Sequence, residues 1–210
     1  AAAREVAPEV RVVLQQEQLG TAHAVARAAP ALEGVAGDAV VLYGDTPFIR
    51  PETLSAMAAA RESADIVVLG FHAAEPGRYG RLVTDGDRLE RIVEYKDATE
   101  AERAITLCNS GVMAADAALL ARLVARVGND NASGEYYLTD VVALARAEGR
   151  TAGVVVCDEA ETLGVNSRAE LAAAEAAFQA RARAEALETG VTLAAPETVH
   201  FAFDTEVGRD

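Results

Sequence analysis

Tryptophan is absent from this sequence, and cysteine and long apolar runs are scarce. The two cysteines, Cys108 and Cys157, lie far apart and lack the spacing of a metal site. No apolar run is long enough to span a bilayer. The simplest interpretation is a reduced setting, and we expect a cytoplasmic protein without a membrane partner.

Positive charge is also in deficit, since the formal net charge is −14 at pH 7. This balance argues against broad binding to nucleic acid or to anionic membranes. Lysine is almost missing: Lys96 is the one lysine among 19 basic residues. A lysine kept where every other base is arginine suggests a task for a compact ammonium group. Chance survival on a solvated surface is the alternative.

The segment AVVLYGDTP, residues 39–47, is the most informative one that is present. Its continuous apolar start predicts a strand buried on both faces of a parallel sheet. Ligands of open α/β sheets bind beyond the carboxyl ends of the strands, where Asp45 would lie. A carboxylate there is a natural ligand for Mg²⁺. The alternative is that these residues form only a polar turn.

Strand and helix patterns alternate along most of the chain, which indicates an α/β fold with a mainly parallel sheet flanked by helices. Asp85-Gly86 predicts a hairpin turn. Ser167 and Glu170 have capping-box spacing before a long helix that ends near Gly190. The remaining predicted strands are 10–14, 65–71, 106–113 and 152–157, and the remaining predicted helices are 23–32, 51–61, 115–126 and 139–148.

Several further motifs are dense in polar groups, and each has a bland alternative. Gln15 offers a donor and an acceptor that suit a base edge, before a loop that opens a helix, or it belongs to a polar loop with a capping Thr. Glu94 could accept bonds from sugar hydroxyls, or could belong to a surface ion-pair cluster. Asn109 interrupts an apolar strand and must be bonded to a ligand or to the backbone. Asn166 offers an amide oxygen to a metal, or merely precedes a helix cap.

Taken in order, seven short segments resemble the uridyltransferase domain of bacterial N-acetylglucosamine-1-phosphate uridyltransferases. The resemblance covers most of residues 10–168. It is carried by LQQEQLGTAHA, LYGDTP, YGRLV, IVEYKDAT, NSGVM, NDNASGEYYLTD and GVNSR.

The resemblance implies a Rossmann-like nucleotidyltransferase fold and roles for named residues. It divides the chain into a partial nucleotidyltransferase domain (1–167), a connector helix (168–190) and the first segment of a left-handed β-helix (191–210). Asp45 and Asn166 would hold Mg²⁺. Contacts to uracil and nucleotide would come from Gln15, Gly20 and Thr21, and Tyr43 and Gly44 would shape the floor near the nucleotide sugar. The N-acetylglucosamine pocket would be lined by Gly80, Glu94, Asn109, Tyr137 and Thr139.

The implied reaction joins UTP and N-acetylglucosamine 1-phosphate to give UDP-N-acetylglucosamine and pyrophosphate. Family members begin with a strand and a glycine-rich loop of the type LAAGxGTRM, which this chain lacks. We therefore expect a fragment with little or no activity, whose intact parent is a homotrimer formed through the β-helix. Another sugar nucleotidyltransferase, or a non-catalytic sugar-nucleotide-binding fragment, is the alternative.

Overall fold

A computed structural model describes residues 7–209 of the chain. Helices and strands alternate along it. The strands are β1 (Asp38–Val41), β2 (Ile66–His72), β3 (Arg81–Asp85), β4 (Arg88–Val93), β5 (Leu107–Asp116) and β6 (Ala152–Cys157). The α-helices are α1 (Thr21–Ala28), α2 (Pro51–Ala60), α3 (Glu100–Arg103), α4 (Ala117–Val124), α5 (Asp140–Ala147) and α6 (Arg168–Glu188). Short 3₁₀ turns occur at Ala29–Leu32, Glu159–Thr162 and Pro196–Thr198.

The described residues form two compact units. The first contains residues 7–44 and 48–162, and the second contains residues 45–47 and 163–209. All six strands belong to the first unit, and α6 belongs to the second. In neither unit does a described helix have the length and apolarity that crossing a bilayer requires.

The sheet of the first unit is mixed, with the strand order β4-β3-β5-β2-β6 and with β1 also paired to β5. The α/β class with flanking helices is as expected, but a mainly parallel sheet is wrong. Among the described strand pairs, only the pair of β2 with β6 is parallel. The hairpin turn at Gly86 (φ +57°) makes β3 and β4 antiparallel, and β5 then runs against β1, β2 and β3. Apolar strands buried on both faces occur in a mixed sheet as well, so composition alone did not distinguish a parallel sheet from a mixed one.

Two predictions about the first strands are wrong. β1 is not buried on both faces, because it pairs only with β5 within the described residues and Val40 is 47% exposed. Residues 10–14 form no strand: they are irregular, and Leu14 is 69% exposed. Their apolar, β-branched side chains favour extended backbone, but a strand also needs a neighbour for its hydrogen bonds.

The core lies on both faces of β2, whose side chains alternate between them. Ile66 and Val68 belong to the larger cluster, together with apolar residues of α1, α4 and α5. Val67 and Leu69 belong to a second cluster with Met57 of α2. Each such side chain contributes roughly 1.5–3 kcal/mol when fully buried. The helices on the two faces therefore fix β2 at the centre of the unit.

Two acidic side chains stabilise helix starts in the first unit. Glu161 is buried and accepts hydrogen bonds from the backbone N–H of Arg50 (3.1 Å) and from the Thr53 hydroxyl (2.7 Å), at the start of α2. The Asp116 carboxylate accepts from the Leu119 N–H (2.9 Å) and caps α4. Carboxylates at these positions satisfy free N–H groups and complement the helix dipole.

In the second unit, α6 holds the tail that follows it. Ser167 accepts from the Glu170 N–H at 3.2 Å, so the predicted helix start is confirmed. The buried Gln179 amide makes two hydrogen bonds with the backbone of Phe201, each 2.8 Å long. Residues 191–209 contain a 3₁₀ turn and no strand. The β-helix segment and the three-part division stay predictions.

Candidate functional site

Glu94, at the end of β4, is the centre of one polar cluster. Its carboxylate accepts a hydrogen bond from the Thr139 hydroxyl, which lies just before α5, at 3.1 Å. Burial raises the pKa of Glu94, and the nearby charges of Asp140 and Asp97 raise it further. The Thr139 bond opposes this effect without cancelling it. Glu94 is therefore a half-buried acceptor that burial keeps away from water.

Gly80 and Asn109 lie beside Glu94. The Asn109 backbone N–H donates to the Gly80 carbonyl oxygen at 2.8 Å. A Cβ on Gly80 would lie 3.4 Å from Glu94 Oε1 and 3.5 Å from Asn109 Cβ. The Asn109 side-chain oxygen accepts from the Gly111 N–H at 3.0 Å, so the amide that interrupts β5 is bonded to its own strand. The structure thus brings together four of the five residues that the resemblance assigns to the sugar: Gly80, Glu94, Asn109 and Thr139.

A cavity of about 370 Å³ adjoins this group. It is lined by Arg78, Glu94, Tyr95, Lys96, Ser133, Glu135 and Tyr137. Its volume falls in the range of small-molecule sites. Glu94 and Tyr137 therefore share one cavity with Lys96, the lone lysine.

The residues expected at the nucleotide pack around the start of α1. Gln15 Nε2 donates to the Gly20 carbonyl oxygen (3.2 Å) and lies 3.0 Å from His23 Nδ1. The Thr21 hydroxyl oxygen accepts from the Leu138 N–H at 2.9 Å. Gly20 (φ +117°) lies so close to Tyr136 that a Cβ would come within 2.5 Å of its carbonyl oxygen. Both polar side chains therefore also serve to hold this loop in place.

Tyr43 and Gly44 line a second cavity of about 430 Å³, together with Thr21 and Leu138. Tyr43 packs over Gly111, where a Cβ would lie 2.3 Å from Tyr43 Cε2. Its ring therefore needs glycine at that position. Leu138 lines this cavity and Tyr137 the other.

Asp45 and Asn166 come together in the second unit. The Val165 N–H donates to the Asp45 carbonyl oxygen at 2.8 Å. A Cβ on Gly164 would lie 3.5 Å from Asn166 Nδ2 and 3.8 Å from that same carbonyl oxygen. Both side chains are exposed, and the Asn166 N–H is bonded to Glu170 (2.6 Å).

The donors of Asp45 and Asn166 fit a hard divalent cation. A carboxylate and an amide oxygen are ligands that Mg²⁺ accepts, and Mg²⁺ usually keeps several waters or phosphate oxygens. Within residues 7–209, no group of three or more His, Cys, Asp or Glu side chains is placed to hold a metal ion. A pair of such oxygen donors leaves coordination positions for the waters or phosphate oxygens that the ion keeps.

Sequence reasoning missed two features of the first unit. Arg81 is 1% exposed and donates to the carbonyl oxygens of Gly77 (3.0 Å), Tyr79 and Arg103. It thereby holds the loop that ends in Gly80. The backbone of Tyr136 anchors the start of α1 through bonds to Leu19 and Ala22. Leu82 and Val83 after Arg81 are a weak sign of a buried strand, and a backbone anchor leaves no sequence signal.

Comparisons with known proteins identify relatives of the chain. The family model described as MobA-like NTP transferase domain matches residues 1–192. The bifunctional protein GlmU of Ruegeria sp. (strain TM1040) is 67% identical over the whole chain, and that of Dinoroseobacter shibae is 71% identical. The chain spans just under half of each of these relatives (47%).

A solved structure shares the fold. It is the nucleoside-diphosphate-sugar pyrophosphorylase from Vibrio cholerae RC9, with a TM-score of 0.52 and 13% sequence identity. The match covers 76% of this chain and 66% of that one. Since the two sequences have diverged so far, the likeness concerns the architecture.

Proposed function

Because the chain belongs to the MobA-like NTP transferase domain family, we propose that the protein transfers a uridylyl group from UTP to N-acetylglucosamine 1-phosphate. The products are UDP-N-acetylglucosamine and pyrophosphate. Its relatives at 67% and 71% identity are both named bifunctional protein GlmU, which supports this choice of substrates. The proposed setting is the cytoplasm, and the proposed assembly is a homotrimer.

One observation carries the proposal: the grouping of Glu94, Thr139, Gly80 and Asn109 beside the 370 Å³ cavity. A half-buried carboxylate is a strong acceptor for sugar hydroxyl groups. Gly80 has no side chain, which leaves room for the sugar ring to approach the Glu94 carboxylate. Tyr137 adds an amphipathic wall to the same cavity. These groups would fix the hexosamine and thereby orient its phosphate.

On the nucleotide side, Gln15, Gly20, Thr21, Tyr43 and Gly44 would contact the uridine part of UTP. Gln15 carries the donor and the acceptor needed to recognise uracil. Thr21 and Tyr43 line one cavity, which suits a nucleoside. The hydrogen bonds of Gln15 and Thr21 would hold these groups in place before the substrate arrives.

The chemistry needs no protein nucleophile. An oxygen of the sugar phosphate attacks the α-phosphorus of UTP, the bond to the β-phosphate breaks, and pyrophosphate leaves with the electron pair. In the proposal, Asp45 and Asn166 hold Mg²⁺, which when bound polarises and orients phosphate oxygens. The residues of the chain then act by binding and positioning, which are the main contributions to this class of reaction.

Calorimetric titration of the 210-residue chain tests the ligand assignment. We expect UDP-N-acetylglucosamine to bind more tightly with Mg²⁺ than without it. Glu94→Gln should weaken binding at least tenfold, because a neutral amide is a weaker acceptor. Glu135→Gln, an exposed change in the same cavity, should leave the affinity within twofold. Equal losses from both variants, or no binding by the wild type, would refute the assignment.

Turnover separates this function from that of another sugar nucleotidyltransferase. In the protein expressed from its complete gene, pyrophosphate release should require UTP and N-acetylglucosamine 1-phosphate. A preference for another nucleotide or another hexose phosphate would overturn the choice of substrates while leaving the enzyme class intact.

A further inference from the structure

The turn that follows Glu94 makes two contacts with a loop far along the chain. The Asp97 N–H donates to the Glu94 carbonyl oxygen at 3.0 Å and closes the turn. Asp97 Oδ1 then accepts from the Ala132 backbone N–H at 2.9 Å. Lys96 Nζ donates to the Ser133 hydroxyl oxygen at 2.9 Å. Neither contact belongs to the group of side chains assigned to the sugar.

The contacted loop is held together by one side chain. Asn131 Oδ1 accepts from the N–H groups of Ser133 (3.1 Å) and Glu135 (3.3 Å). Asn131 Nδ2 donates to the Glu135 carbonyl oxygen at 2.6 Å. Residues 131–135 are therefore braced as one piece. A hydrogen bond at Ala132 or Ser133 therefore restrains the whole loop.

The residues after this loop lead directly into the proposed substrate sites. The Tyr136 N–H donates to the Leu19 carbonyl oxygen (2.8 Å), and the Tyr136 carbonyl oxygen accepts from the Ala22 N–H (2.9 Å). Thr139 then bonds to Glu94. Segment 131–139 is thus attached to the Glu94 turn at both ends and to the start of α1 in the middle.

We propose that Asp97 is a positioning residue for the sugar phosphate: its bond to Ala132 holds segment 131–139 so that Tyr137 and Thr139 stay beside Glu94. Lys96 assists through Ser133. The inference rests on the proposed function, because that function assigns Glu94, Tyr137 and Thr139 to the sugar. A small displacement of such groups weakens binding and turnover more than it weakens the fold.

Both contacts lie at the protein surface. Their loss should therefore affect the position of segment 131–139 more than the stability of the fold. Lys96 and Asp97 are exposed side chains, and a single hydrogen bond at the surface contributes little to the stability of the fold. Asp97 also raises the pKa of Glu94 through its charge. A test must therefore separate the hydrogen bond of Asp97 from its charge.

Three variants in the protein expressed from its complete gene make this separation. Asp97→Ala removes both the acceptor and the charge, whereas Asp97→Asn removes the charge and keeps an oxygen for the Ala132 N–H. Asp87→Ala, in the β3–β4 hairpin, removes an exposed carboxylate elsewhere and serves as the control. KM for each substrate, kcat and the thermal midpoint are measured for each.

Asp97→Ala should raise KM for N-acetylglucosamine 1-phosphate about tenfold and change KM for UTP less than twofold. Asp97→Asn should restore most of the loss, and Asp87→Ala should match the wild type. If Asp97→Ala does not fold, Lys96→Met replaces it, with an expected threefold rise in KM for the sugar phosphate alone. A wild type without this activity would instead mean that the proposed function fails.

The positioning role is overturned if Asp97→Ala, or Lys96→Met in its place, leaves KM for the sugar phosphate unchanged in an active enzyme. It is equally overturned if KM for both substrates rises together as the thermal midpoint falls. An Asp97→Asn variant as impaired as Asp97→Ala would assign the effect to charge and refute the hydrogen bond as its cause.

Discussion

The Val165 backbone N–H donates to the Asp45 backbone carbonyl oxygen at 2.8 Å. This bond joins the polar end of the AVVLYGDTP segment to the segment that contains Asn166. Because only backbone atoms take part, the side chain of Asp45 or of Asn166 can be changed without breaking this bond. The proposed metal ligands can therefore be tested separately from the fold that brings them together.

Asp45→Ala should abolish the effect of Mg²⁺ on the binding of UDP-N-acetylglucosamine and lower turnover at least a hundredfold. The free energy of unfolding should change by about 0.5 kcal/mol or less, as at other exposed sites. Titration with and without Mg²⁺ and denaturant unfolding measure the first and last effects, and pyrophosphate release by the protein expressed from its complete gene measures turnover. Asp204→Ala, an exposed carboxylate in the tail, is the control. Near-normal turnover of Asp45→Ala would rule out the metal assignment.

Glu94→Gln should change how stability depends on pH. Burial raises the pKa of Glu94 in the folded state, so the folded protein holds that proton more tightly than the unfolded chain does. The protonated side chain of Glu94 contributes its full share of the free energy of unfolding below the ordinary pKa of glutamate. This contribution is lost as the pH rises through the raised pKa.

Glutamine mimics the protonated form at every pH. The thermal midpoint of Glu94→Gln should therefore equal that of the wild type near pH 4 and exceed it at pH 7. Glu135→Gln should show no such divergence. A constant difference between wild type and Glu94→Gln across this range would contradict the expected effect of burial.

Gly20→Ala should destabilise the first unit by about 3 kcal/mol or more. Its φ of +117° disfavours any side chain, and a Cβ would lie within 2.5–3.0 Å of three backbone atoms of Tyr136. Gly37→Ala is matched in backbone conformation (φ +105°) but meets no atom within 4 Å, so about 1 kcal/mol is expected. Urea unfolding compares the two, and equal losses would mean that contact with Tyr136 is unimportant.

Arg81→Met should cost about 3 kcal/mol, since three carbonyl oxygens would lose a charged donor inside the protein. The loop ending in Gly80 should loosen as well, with weaker binding of UDP-N-acetylglucosamine. Arg78→Met changes an exposed arginine of the same loop and should stay within about 0.5 kcal/mol. Unfolding and titration of both variants provide the measurement.

Local structure could be predicted where one segment contains the whole cause. Ser167 and Glu170 cap α6 through neighbouring atoms, and Asp85-Gly86 turns the chain within a few residues. Strand direction depends on distant partners. β5 is antiparallel to three other strands, and nothing in its own sequence indicates this. Residues 10–14 illustrate the same limit, because β propensity does not supply a pairing partner.

The candidate site follows the same rule. Glu94 and Thr139 lie 45 positions apart, and only the resemblance placed them in one pocket. Their hydrogen bond, and the closeness of Gly80 to Glu94, agree with that placement. The bond from Ala132 to Asp97 was not foreseen, because its donor is a backbone N–H that any residue would offer.

The pairing of β1 with β5 also affects how the chain emerges during synthesis. Val41 pairs with Met113, and Asp38 with Asp116. The ribosome must therefore add about 75 residues after β1 before this pairing can be complete, which takes roughly 4–15 s at ordinary elongation rates. Throughout that interval Val40 and its neighbours have no β5 to cover them. β1 therefore becomes part of the sheet only after β5 has been synthesised.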